Sequence, residues 1–86
     1  MPMFRKKPVE IEAFRLGVQN PPQWFEDAMR HGNAWYRGGD EPYYAIKTLE
    51  GEMRARTGDW IIRGGKGELY PVKDEIFRVT YEAMEE

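Results

Sequence analysis

The chain has 86 residues, of which 41% are hydrophobic, 33% charged and 14% aromatic, with a net charge of −2. That predicts one soluble domain spanning residues 1–86, and excludes a disordered chain, which would be poorer in aromatics. No apolar run approaches the ~18–20 residues of a membrane span, no cysteine offers a disulfide or thiolate, and the balanced charge gives no bulk attraction to nucleic acid or acidic membranes.

Residues 1–8 carry basic side chains with no apolar stretch behind them, which predicts no signal peptide. In residues 7–16, Val9, Ile11 and Ala13 alternate with Glu10 and Glu12, the period of a half-buried strand. The phase then shifts, since Phe14 and Leu16 are apolar, and this reads as a bulge or as the strand leaving the sheet before Gly17. Asn20, Pro21 and Pro22 open a helix over about residues 21–31, with Asn20 as the candidate cap. Its apolar stripe is Trp24, Phe25, Ala28 and Met29, and Gly32 stops it.

Residues 34–37 read as a short strand, and residues 43–49 and 52–56 as a hairpin turning at Glu50 and Gly51. That turn predicts Lys47 opposite Arg54 and Ile46 opposite Ala55. Tyr44, Ile46, Thr48, Met53 and Ala55 then share one face, and Lys47, Arg54 and Arg56 the other. A second hairpin joins residues 60–63 to 68–72, placing Arg63 opposite Glu68, and Pro71 confines its strand to an edge. Asp74 reads as the cap of a single turn. Phe77, Val79, Tyr81 and Ala83 then alternate as a final strand, expected to pair with the first. The expected fold is α+β: a curved antiparallel sheet or half-open barrel of five to six strands, with one helix after the first strand.

Three stretches carry a resemblance. Residues 7–13 read KPVEIEA, residues 58–64 GDWIIRG, and residues 66–82 include KGELYPVK and IFRVTYE. Together they resemble a family of small bacteriophage and prophage proteins whose late block commonly reads Gly-Asp-Tyr/Trp-Ile-Ile, Lys-Gly-Glu, aromatic-Pro, then Phe and Thr-Tyr-Glu. The resemblance covers roughly half the chain and leaves residues 16–43 outside. It implies a phage product in the bacterial cytoplasm and supplies no catalytic residues. Val72 stands where such proteins often have Cys, which argues against a required thiol.

Few residues suggest chemistry directly. The glycine-rich stretch 64–67 contains Gly-Lys, but Glu68 follows in place of Ser or Thr, so it reads as a hairpin turn rather than a phosphate loop. Asp59 reads as a turn closer, and His31, the single histidine, as a solvent-facing residue at a helix end. Trp24, Phe25, Trp60, Ile62, Phe77 and Tyr81 read as core. No cofactor or metal is expected, and no paired catalytic groups point to an enzyme.

The remaining candidates are the basic stripe Lys47, Arg54 and Arg56 and the aromatics Trp35, Tyr36 and Tyr43 with Arg37. Aromatics beside arginines are common interface anchors. The expected function is therefore a non-enzymatic protein-binding module that docks on a host or phage protein. A host factor or defence component would suit a phage origin. The alternative is a small barrel that binds nucleic acid or a nucleotide-like anion weakly through the basic stripe. Membrane partners are not expected, and self-association is left open.

Overall fold

A computed structural model describes residues 2–5 and 9–84. In chain order these form β1 (Glu12–Arg15), α1 (Gln23–Arg30), β2 (Ala34–Arg37), β3 (Tyr43–Thr48), β4 (Gly51–Ala55), β5 (Trp60–Arg63), β6 (Leu69–Val72) and α2 (Asp74–Thr80). The class is α+β, as expected. The six strands, however, make two three-stranded antiparallel sheets, ordered β1-β5-β6 and β2-β3-β4, rather than one curved sheet, and no closed barrel forms.

The first sheet begins later than the alternation predicts. Val9 is exposed, and it is Phe14 and Leu16 that are buried. β1 pairs with β5, Phe14 opposite Ile61, and not with the end of the chain. The larger side chains decide the strand's phase, because each buries more apolar area than Val9 or Ala13. β6 forms the other edge of this sheet, which accommodates Pro71 without a donor.

α1 starts after Pro22, and Asn20 makes no cap, since no side chain caps this helix. It ends as the sequence predicts. Gly32 takes a left-handed φ of 78°, and the Gly32 and Asn33 N–H groups donate to the Met29 and Ala28 carbonyls. That double bond satisfies the last-turn acceptors of the helix. Phe25 and Ala28 point from α1 into the core, where they meet Phe14, Leu16, Ala34, Ile46, Ala55, Ile61 and Leu69. The core thus lies between the inner faces of the two sheets, with β6 against β3 and β4.

The final strand does not form. Residues 74–80 are helix, and their Phe77 stacks on Trp60 with ring centroids 3.9 Å apart and an angle of 3°. Phe77 and Tyr81 stand four residues apart, so the pair that suggested strand alternation also fits one helix face. Asp74 is the first helical residue and not the cap. Its carboxylate accepts from Trp60 Nε1 at 2.8 Å and from Arg78 Nε at 2.8 Å, and Arg15 lies 3.3 Å away. α2 thereby packs on the outer face of the first sheet at Trp60.

The hydroxyls of Tyr70 and of Tyr81, just past this helix, lie 3.4 Å apart. Burial first, then the Tyr81 hydroxyl and the Glu68 charge, push the Tyr70 hydroxyl from 10.0 up to about 12. An unfolded Tyr70 releases its proton near pH ~10, while the folded one holds it to about 12, so the unfolded chain binds fewer protons in that window. The contribution of Tyr70 to stability is expected to be fully present below about pH 10 and to be lost between about pH 10 and 12. Urea melts across that range check this, and Tyr70→Phe should flatten the alkaline fall.

Candidate binding face

The second sheet presents the candidate residues. β2, β3 and β4 pair so that Trp35, Ala45 and Arg54 form one row across the sheet. Arg37 and Tyr43 form the row on one side, and Lys47 and Glu52 the row on the other. Alternation places all of these on the outer face, while Ala34, Ile46 and Ala55 point to the core. The sequence-predicted residues Trp35, Arg37, Tyr43, Lys47 and Arg54 therefore share one face.

One predicted member does not. Tyr36 lies on the inner face at the β2 edge, its ring 5.2 Å from Tyr44, and is 58% exposed. Arg56 lies just beyond β4. Its guanidinium is 3.9 Å from the exposed Glu41, and its N–H donates to the Asp59 carboxylate at 2.9 Å. Asp59 closes that turn, as predicted, and is itself buried, with Lys73 Nζ 3.1 Å away.

The hairpin register also differs. The turn centres on Leu49 and Glu50, so Lys47 lies opposite Glu52 and Arg54 opposite Ala45. Gly51 carries a φ of 108° just after these two residues, while Thr48 Oγ1 donates to the Gly51 carbonyl at 2.6 Å and accepts the Glu50 N–H at 3.1 Å. Glycine at a position of positive φ is a common feature of hairpin closures. The change removes the like-charge pair Lys47–Arg54 that favoured an anion site. In the second hairpin, Arg63 lies opposite Leu69 rather than Glu68 and donates to Glu12 at 3.1 Å.

The face that results is part aromatic and part cationic. The Arg54 guanidinium lies over the Tyr43 ring, 4.5 Å from its centroid, which holds a long side chain flat at an energy of about 0.5–1 kcal/mol. Ala45 is 0% exposed although it points outward, so the row Trp35–Ala45–Arg54 is a closed surface with a small residue at its centre. Arg37, Lys47 and Arg54 meet one carboxylate here, Glu52, against a net −2 for the chain. Sequence reasoning missed the central place of Ala45, which becomes visible only once the register is fixed.

Among the described residues no three His, Asp or Glu side chains converge as a metal site. His31 is exposed at the α1 C-terminus, as expected, on the rim of an open cleft of about 390 Å³ that Trp24, Lys47 and Arg63 also line. Neither described helix is long and apolar enough to cross a membrane. Comparison with protein-family models, with curated proteins and with solved structures finds no match to the chain.

Proposed function

We propose that the protein is a non-enzymatic binding module that docks on another protein through the outer face of β2–β4. One observation carries the reading. α2 lies over the outer face of the first sheet, whereas the core contacts of β2–β4 all run through their inner face. The remaining sheet face bears Trp35, Tyr43, Arg37, Lys47 and Arg54. Trp, Tyr and Arg are the residues that dominate binding energy at protein interfaces. Local excess of positive charge selects an acidic partner surface, with arginine matched to carboxylates in a planar fork. The phage resemblance of the late sequence block supports a partner in the bacterial cytoplasm, of host or phage origin, such as a host factor or a defence component.

Affinity capture from bacterial lysate, with mass spectrometry, tests the reading. The chain should retain a specific protein, and Trp35→Ala with Tyr43→Ala should weaken its binding by roughly 30-fold or more, the scale of interface hot spots. Undiminished capture by the double variant removes this face from contention. Titration with oligonucleotides at low and high salt separates the other class of partner. A steep loss of binding with salt would assign the face to nucleic acid instead.

A further inference from the structure

Two features of the fold remain without a use, and they complement each other. The first is the segment of residues 2–5. Its Met3 and Phe4 are 93% and 94% exposed, although both are large and apolar. Arg5 follows them, and the sequence continues with Lys6 and Lys7. The second is a groove of about 350 Å³ between the β3–β4 turn and β6. Leu49, Met53, Tyr70 and Pro71 supply its apolar wall, and Glu50 and Glu68 its only charges. Leu49 is 85% exposed at its mouth. One Glu68 oxygen accepts the Lys66 N–H at 3.1 Å, and no other hydrogen bond or ion pair engages either carboxylate among the described residues.

We propose that this segment of one copy docks in the groove of a second copy of the chain. Met3 and Phe4 enter between Leu49, Met53, Tyr70 and Pro71, while the guanidinium of Arg5 meets Glu50 and Glu68. Apolar residues followed by a cation fit a largely apolar groove whose only charged residues are glutamates. The segment does not lie in its own groove, since Met3 and Phe4 are in solvent. Reciprocal exchange between two copies fills both grooves and closes the assembly as a symmetric pair. The contact does not involve the outer face of β2–β4, so it is independent of the function proposed above.

Sedimentation velocity on the full chain, from micromolar to millimolar, is the test. The chain should shift from monomer to dimer with concentration. Met3→Asp with Phe4→Asp should weaken association more than about tenfold, and so should Glu50→Lys with Glu68→Lys. These side chains are exposed or line an open groove, and unchanged circular dichroism verifies that the variants fold. Adding Arg5→Glu to the Glu50→Lys, Glu68→Lys chain should restore association. A chain that stays monomeric at millimolar concentration overturns the proposal. So does a dimer that both variants leave intact, or a monomer in which Met3→Asp with Phe4→Asp shifts the nuclear magnetic resonances of Met53 and Tyr70, which would mean docking within one copy.

Discussion

Phe25→Ala should destabilise the protein by about 3–5 kcal/mol, the range for removing a fully buried phenylalanine. Phe25 is 0% exposed, and its ring centroid lies 5.0 Å from Phe14, 6.5 Å from Trp24 and 5.7 Å from Tyr44. One side chain thus joins α1 to β1 and to β3, elements of both sheets. The cavity left behind cannot collapse easily, because its walls are held by two separate hydrogen-bonded ladders. A chain of 86 residues has roughly 4–13 kcal/mol of total stability at typical values per residue, so the variant would lose a large share of it. At about 4–8 °C per kcal/mol for domains near this size, the melting temperature should drop by at least roughly 12 °C. Urea melts followed by tryptophan fluorescence measure this, and a loss under about 1 kcal/mol would contradict the central role of Phe25. Phe25→Leu, which keeps most of the volume, should lose clearly less.

Phe25 was also among the most legible features of the sequence. A helix bounded by proline and glycine with an apolar stripe leaves little choice of face, and Phe25 and Ala28 point inward as that stripe requires. The open face of β2–β4 was legible for a related reason. The hairpin turn was misplaced so that pairing slipped by two residues, yet a slip of two leaves every side chain on its own face. Lys47 and Arg54 therefore stay outward with either turn. Only their partners change, and with them the argument for an anion site.

A slip of one is less forgiving. In the second hairpin, a four-residue turn at 64–67 suggested a pairing of Arg63 with Glu68 that would have put Leu69 beside Ile62, on the outer face. The observed pairing turns Leu69 inward with Ile61 instead. A cross-strand charge pair contributes at most about 1 kcal/mol, while burying a leucine contributes about 1.5–3 kcal/mol, so the apolar term decides. The first strand obeys the same ranking, with Phe14 and Leu16 prevailing over the cleaner alternation of Val9, Ile11 and Ala13. At the C-terminal end, strand and helix periods both fitted Phe77 and Tyr81. The missing information was tertiary: the uncovered Trp60 and Ile62 on the first sheet need a lid, and nothing local to residues 74–80 states that.

Trp60→Ala tests that lid and should cost about 3–5 kcal/mol. α2 has seven residues, well short of the ~12–15 at which an isolated helix becomes marginal in water. Its persistence depends on docking, and the Trp60–Phe77 stack supplies an apolar contact that docks it. Hydrogen exchange should show the amides of Phe77 and Arg78 losing protection, while those of Ile46 in β3 retain more of theirs. Protection in α2 that survives the substitution would mean that the ion pairs of Asp74 and Lys73 hold the helix by themselves. Trp60→Phe separates the two contributions of the indole, because it keeps a stacking ring and removes the N–H that Asp74 accepts at 2.8 Å. That hydrogen bond is the first cause, and the Arg78 bond the second, that hold the Asp74 carboxyl below its ordinary value. A carboxyl depressed in the folded state adds stability above its unfolded pKa and loses it as pH falls through the folded one. Wild-type protein should accordingly lose stability on acidification below the ordinary aspartate range, and Trp60→Phe should lose less over the same interval. Equal acid sensitivity in the two proteins would show that the indole N–H does not govern the charge of Asp74.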